Sequence, residues 1–265
     1  MMFTGAVYGL AIGAVLGLTG AGGVMAVPAL MLGLGLTLHD AAPISLIAVS
    51  SAAAIGAVTA LRRGHVRYRA AIAMSLAGAV GAPIGAHLAH EMPQRWLTFI
   101  FCGVMLFVAV RMIAQVLGNA NQREQSSKNL LCQVNPETGR FHWTAGCAAS
   151  MASIGASAGL FTGMLGVGGG FVIVPALRQF SDLPMVGVTA TSLAVVALVS
   201  SFTVVGSLLG GAHIASVGWV FTGAMVVGLA GGRIATHRLP WQWVQSVFAL
   251  LVLSVAVLWL KQTFA

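Results

Sequence analysis

Eight apolar segments, each long enough to cross a lipid bilayer as a helix, fill most of this 265-residue chain. They cover residues 5–37, 41–61, 69–89, 96–117, 145–179, 185–209, 215–236 and 242–260. A bilayer core about 30 Å thick needs roughly 20 apolar residues in helical form. Only 7% of the residues are charged, whereas a soluble domain has about 25%. We therefore predict an all-α polytopic integral membrane protein with about eight transmembrane segments.

The net charge of +8 arises largely in short loops between these segments, and Arg62, Arg63, Arg67 and Arg69 share one of them. Basic loops between apolar spans follow the positive-inside rule. The chain has no basic helix and no aromatic-basic module, so nucleic acid is not an expected partner. We predict a multi-pass protein of the cell inner membrane, with the lipid bilayer as its surroundings.

The three cysteines give no sign of a metal or redox site, because their number is odd and no C-x-x-C pair occurs. Cys102 and Cys147 lie in apolar stretches and are expected to be small buried side chains. We therefore expect neither a disulfide nor a zinc site, and no cofactor. The apolar start of the chain is expected to be a retained membrane segment.

The two halves of the chain are copies of one another. A shift of 147 positions brings some ninety residues of the first half into register with the second, without a gap. The matches include two glycines, a Val-Pro-Ala-Leu run, a serine and a histidine: Gly22-Gly23 with Gly169-Gly170, Val27–Leu30 with Val174–Leu177, Ser45 with Ser192, and His90 with His237. We predict repeat 1 at residues 1–118, a polar cytoplasmic linker at 119–143 and repeat 2 at 144–265, each repeat with four hydrophobic segments.

The first and fifth segments are too long for one straight span, and each contains a glycine cluster followed by a proline. Paired interrupted segments at matching positions in two halves are typical of transporter binding sites. A break frees backbone N–H groups, and the following half-helix has a partly positive N-terminus, so an anion can bind there. The candidate residues are Gly20, Gly22, Gly23, Gly166, Gly168, Gly169 and Gly170. The alternative is that these glycines only allow close helix packing.

Four polar residues complete the predicted substrate site. Ser45 and Ser192 are repeat-related, and Thr191 precedes Ser192, so these hydroxyls could donate to an anion, or could instead cap or back-bond their own helices. Arg233 could face the substrate inside an apolar segment, or extend to the membrane surface near Pro240. Further candidates lie deeper in the same helices: Ser50, Ser51, Ser200 and Ser201.

The duplicated glycine run followed by Val-Pro-Ala-Leu resembles the sulfite exporter TauE/SafE family of membrane proteins. The length, the eight segments and the polar central loop agree with that resemblance, which covers nearly the whole chain. The family implies transport of small sulfur-containing anions, such as sulfite or organosulfonates, along a path between the repeats. The first run, GAGGV, has one glycine fewer than the second, GVGGG, so the two halves need not contribute equally.

The sequence leaves the topology open. If the first and fifth segments cross fully, each half has four spans and the repeats are parallel. If they fold back as re-entrant hairpins, each half crosses three times and the repeats are inverted. Inverted repeats segregate the basic residues slightly better, and both arrangements place the loop at 62–69 and the central linker in the cytoplasm.

The function predicted from sequence is that of a secondary transporter or exporter of a small sulfur-containing anion. The alternatives are an anion channel and a non-transporting assembly subunit of a membrane complex. A membrane enzyme is not expected, because only five acidic residues exist and most lie outside the spans. The oligomeric state is open, with a homodimer among the alternatives.

Overall fold

The computed structural model describes residues 2–20, 22–117, 132, 143–209 and 216–235. Within these ranges the backbone is helical almost throughout and forms no strand, which confirms the all-α prediction. Four of the described helices are long and apolar enough to cross a membrane: Asp40–Arg62, Tyr68–Glu91, Ala145–Leu165 and Met185–Leu209. The predicted segment at 242–260 lies outside the described residues, so the number of eight spans stays a prediction.

Nine α-helices and one 3₁₀ helix make up the described part of the chain. In order they are α1 (Met2–Thr19), the 3₁₀ helix (Gly22–Met25), α2 (Ala26–Leu34), α3 (Leu38–Arg62), α4 (Tyr68–Glu91), α5 (Gln94–Leu117), α6 (Ala145–Leu165), α7 (Gly170–Phe180), α8 (Met185–Leu209) and α9 (Ser216–Ala235). The bounds of α3, moved by 147 positions, coincide with those of α8. Local structure therefore follows the sequence duplication closely in these two helices.

Both overlong segments are interrupted at the predicted glycines, and each folds back on itself. In the first segment α2 returns along α1, because a Cβ on Gly33 would lie 2.4 Å from the Tyr8 ring. In the fifth segment α7 turns back onto α6: the Phe171 ring of α7 lies 6.1 Å from the Phe161 ring of α6, between centroids, and a Cβ on Gly169, just before α7, would lie 2.7 Å from the Ala158 carbonyl oxygen. We call α1–α2 hairpin 1 and α6–α7 hairpin 2.

The helices α3 and α8 cross antiparallel at the centre of the molecule. A Cβ on Gly56 of α3 would lie 3.1 Å from Leu193, whereas Gly187, at the start of α8, lies beside His65, just beyond the end of α3. As residue numbers rise along α3, those of its contacts on α8 fall. Two helices that match in sequence thus run in opposite directions.

Each hairpin packs against a helix of the other half of the chain through backbone contacts. Gly78 of α4 and Gly159 of α6 are so close that a Cβ on Gly159 would lie 2.1 Å from the Gly78 carbonyl oxygen. The same kind of contact joins α1 to α9, where a Cβ on Gly13 would lie 2.0 Å from the Met225 carbonyl oxygen. Small residues allow such close approach of membrane helices. Glycines outside the two clusters therefore serve packing in these helices.

The outer faces of the helices carry large apolar side chains that are exposed at mid-helix. Leu76 and Val80 of α4 are each 67% exposed, and Leu198 and Phe202 of α8 are about half exposed. A soluble protein rarely exposes apolar patches of this size. These faces fit the lipid core of a bilayer.

The cysteine prediction was partly wrong. Cys102 is buried and free, as expected, but Cys132 and Cys147 form a disulfide with their Cα atoms 5.0 Å apart. The Cys132 N–H donates to the Phe180 carbonyl oxygen at 3.1 Å, which docks the linker beside the end of α7. This contact brings Cys132 to the first turn of α6. No sequence motif marks this cysteine pair, because its formation depends on tertiary structure.

Candidate functional site

The two glycine breaks meet in the middle of the molecule. We define the first break as residue 20 together with residues 22–25, and the second break as residues 166–169. A Cβ on Gly23 would lie 2.8 Å from the Val167 carbonyl oxygen and 3.2 Å from Val49, which is near the middle of α3. Val49 also contacts Gly168 of the second break. The structure thus brings both predicted glycine clusters together where α3 and α8 cross.

The first glycine of each break ends a helix in the same way. Gly20 has φ +69° and Gly166 has φ +70°, and both N–H groups donate to the carbonyl oxygen four residues earlier. This is the left-handed helix C-cap that glycine favours. A Cβ on Gly20 would lie 2.8 Å from the Thr189 side chain, and a Cβ on Gly166 would lie 2.5 Å from the Ala42 side chain. Each break therefore packs against the central helix of the opposite half of the chain.

The breaks differ beyond this first glycine. In the first break the 3₁₀ helix Gly22–Met25 leads directly into α2. In the second break Gly168 and Gly169 also have positive φ, +84° and +65°, and Gly170 begins α7 directly. No side chain in the described part of the chain caps α7. The N–H groups of its first turn have few acceptors within the helix itself.

The repeat-related serines make reciprocal hydrogen bonds between the two halves. The Ser45 hydroxyl donates to the Gly166 carbonyl oxygen, and the Ser192 hydroxyl lies 3.4 Å from the Gly20 carbonyl oxygen. Ser45 also lies 3.0 Å from the Ala42 carbonyl oxygen. Both serines are completely buried. In this conformation their protons point at backbone, so the serines hold the breaks in place.

Thr191 and Arg233 lie outside this centre or beyond what the structure describes. The Thr191 hydroxyl accepts a hydrogen bond of 3.2 Å from the Arg67 backbone N–H, which fixes the start of α4 against α8. The backbone places Arg233 next to Gly232, whose Cα packs on Ala14 of α1. The side chain of Arg233 lies outside the described residues. Gly22 begins the 3₁₀ helix, and the roles of all three in substrate binding stay predictions.

Three buried side-chain atoms in the described part of the chain lack a hydrogen-bond partner: Arg67 Nε, Ser75 Oγ and Ser200 Oγ. Leaving a buried hydroxyl unpaired costs about 1–3 kcal/mol. Ser200 is completely buried in α8, and its Oγ would lie 3.3 Å from a Cβ on Gly168. An unpaired hydroxyl thus lies beside the uncapped start of α7. Its repeat mate is Ala53, so the duplication could not single it out.

The apolar walls around the breaks were not predicted as part of the site. Val49 and Val196 both contact Gly168. A Cβ on Gly168 would lie 2.7 Å from Val49 and 3.3 Å from Val196. Such a lining excludes water, and hydrogen bonds to an anion strengthen when water is excluded. These valines resemble every other apolar residue of the spans, so sequence alone offered no signal for them.

Comparison with known proteins identifies the family of the chain. The family model for the sulfite exporter TauE/SafE matches residues 5–258. Two curated relatives from Xylella fastidiosa, strains Temecula1 and 9a5c, are each named "Probable membrane transporter protein". They are 29% and 28% identical to this chain over 254 residues, covering 93% of it and 90% of each relative. No solved structure matches the chain. The protein is a multi-pass membrane protein that belongs to the sulfite exporter TauE/SafE family.

Proposed function

We propose that this protein is a secondary transporter that moves a small sulfur-containing anion, such as sulfite or an organosulfonate, across the cell inner membrane. The observation that carries the proposal is the meeting of two broken helices at the centre of the crossed pair α3 and α8. Broken backbone at membrane depth persists where it is buried in protein or lines a path. The family name points to sulfite, and the relatives' names point to transport.

The chemistry of the breaks suits an anion better than a cation. The N-terminus of α7 has N–H groups directed at the second break, and a helix N-terminus carries about half a positive charge. Backbone residues with alternating signs of φ, as at 166–168, can direct successive N–H groups to one side. Such donors can replace the water that a small oxyanion loses on entering the membrane.

The arrangement also supplies a means of alternating exposure. Because the matching helices α3 and α8 run antiparallel and both hairpins fold back, we propose that the repeats are inverted. Each hairpin is locked to a helix of the other repeat, through the contacts α1–α9 and α4–α6. The moving units are therefore two mixed bundles, which slide past each other at the breaks. No enzymatic activity is part of the proposal, and a homodimer is compatible with it.

Uptake into proteoliposomes of the purified protein tests the proposed function, with sulfite, sulfate, a small organosulfonate and chloride as substrates. We expect saturable flux of a sulfur anion. Flux that rises linearly without saturation would indicate a channel. No flux from folded protein would contradict transport and favour an assembly subunit.

Two variants place that flux at the breaks. In Gly23→Ala the new Cβ would press on the Val167 carbonyl oxygen from 2.8 Å, so the breaks must separate. We expect at least a tenfold loss of uptake. The matched control is Gly206→Ala in α8, where a Cβ meets no described atom within 4 Å and uptake should be retained. Size-exclusion chromatography verifies that both variants are folded.

A further inference from the structure

We propose that Ser200 is a direct hydrogen-bond donor to the transported oxyanion, and that the anion binds at the second break only. This inference rests on the proposed function and deepens it, because it assigns the substrate contact to one residue and one repeat. It concerns a side chain that the duplication does not mark, since its repeat mate is Ala53.

The Ser200 hydroxyl is available to a ligand. Ser200 is fully buried, and its Oγ has no hydrogen-bond partner among the described residues. Ser45 and Ser192, the serines that hold the two breaks, differ from it, because their hydroxyls are directed at glycine carbonyl oxygens. Native proteins pair nearly all buried polar groups. An unpaired serine therefore indicates a partner that comes and goes.

The Ser200 hydroxyl lies beside the second break. The Ser200 Oγ would be 3.3 Å from a Cβ on Gly168, and Gly168 is two residues before the first residue of α7. The eleven-residue helix α7 has no side-chain cap in the described structure. The hydroxyl thus lies beside Gly168, two residues before the first residue of α7. A helix N-terminus attracts an anion, and a hydroxyl adds a directed donor.

The two breaks differ in the donors that they offer to an anion. In the first break the 3₁₀ helix fills the equivalent place, and the side chain equivalent to Ser200 is the methyl group of Ala53. Among the described residues, the first break has neither a hydroxyl at the position equivalent to Ser200 nor a run of positive-φ glycines, and the unpaired Ser75 of that half lies away from the break in sequence, in α4. The first break therefore serves as the opposing wall, with Gly23 against Val167. One anion per protein chain follows from this arrangement.

Sulfite binding to detergent-solubilised protein, measured by calorimetry alongside proteoliposome uptake, tests the inference. We expect Ser200→Ala to weaken sulfite binding and raise KM by roughly 10- to 100-fold, because a hydrogen bond to a charged group is lost. Ser200→Cys, which retains the volume but is a poor donor, should behave in the same way. The control is Ser153→Ala, since Ser153 is exposed and its hydroxyl donates to the Ser150 carbonyl oxygen of its own helix.

The outcomes separate this inference from the proposed function. Wild-type flux with an unchanged affinity in both Ser200 variants would overturn the role of Ser200 and leave transport intact. Sulfite binding that depends on Ser200 but occurs without wild-type flux would support the site and contradict transport. Two bound sulfites per chain would overturn the single-site arrangement. The unliganded melting temperature of Ser200→Ala should not fall, which excludes misfolding as the cause.

Discussion

The two breaks begin alike and then diverge, and the divergence shows which parts of the duplication serve the fold. Both start with a left-handed glycine that ends a helix, and both are held by a serine from the opposite half. Only the second has further positive-φ glycines and an unpaired hydroxyl beside it. The shared features build the crossing of the two halves, and the features found once are those to which we assign anion binding.

The largest effect is expected at the shared first glycine of each break. Gly20→Val and Gly166→Val force a β-branched residue to φ near +70° and push its Cβ into Thr189 or Ala42. We expect each to lose about 2–6 kcal/mol, from backbone strain and overpacking together. The yield of monodisperse protein and its melting temperature measure this loss. A variant at either glycine as stable as the Gly206→Val control would refute the equivalence of the two breaks.

The next largest loss of stability is expected when the disulfide Cys132–Cys147 is removed. This disulfide distinguishes the hairpins, because it restrains hairpin 2 whereas hairpin 1 contains no cysteine. Replacing both cysteines by alanine should lower stability by about 3 kcal/mol, the cross-link entropy of a loop of 15 residues. The melting temperature with and without a reductant measures it, and Cys102→Ala is the control. An unchanged melting temperature in the double variant would show that the linker does not restrain hairpin 2.

The redox state of Cys132 and Cys147 in cells also reports on which side of the membrane they lie. The end of the molecule that holds the disulfide is the end where Arg62–Arg69 lies, because α4 and α6 pack parallel and both begin there. Arginines favour the cytoplasm, whereas disulfides persist in oxidising compartments. Thiol labelling of whole cells distinguishes the two positions. Free thiols at Cys132 and Cys147 in vivo would support the cytoplasmic position of the linker.

A smaller loss of stability is expected when either serine that bonds to the opposite half of the chain is replaced. Ser45→Ala and Ser192→Ala each leave a glycine carbonyl oxygen without its donor from the other half, and we expect a loss of about 1–3 kcal/mol in both. Ser153→Ala is the control, because Ser153 is exposed and bonds only its own helix. Chemical or thermal unfolding in detergent compares the three. A loss at one serine alone would show that the halves are not held symmetrically.

The smallest effect on stability is expected at Ser200, in contrast to those serines. Because its hydroxyl is unpaired, Ser200→Ala removes no hydrogen bond and should change stability by less than about 0.5 kcal/mol, or raise it. The same unfolding assay without any anion measures this. A loss as large as that of Ser45→Ala would reveal a hydrogen bond that holds the fold, and Ser200 would then belong to the shared scaffold.

Much of the architecture could be predicted from the sequence, because hydrophobic length and internal duplication are strong signals. The breaks at Gly20 and Gly166 follow from glycine clusters in segments too long for one span. The direction of the Ser45 and Ser192 hydroxyls could not be predicted, since it depends on how the halves cross. Ser200 was only one of four further candidates, because its repeat mate is an alanine, Ala53. The Cys132 contact with Phe180 joins distant parts of the chain, so sequence does not reveal it.

The most direct test of the binding site is an anomalous difference map of the crystallised protein soaked with selenite, a heavier analogue of sulfite. The account predicts one selenium peak per chain, between the start of α7 at Gly168–Gly170 and the Ser200 hydroxyl. Selenium at the first break, at the Arg67 end of α4, or nowhere near either break in protein that binds selenite in solution would contradict it.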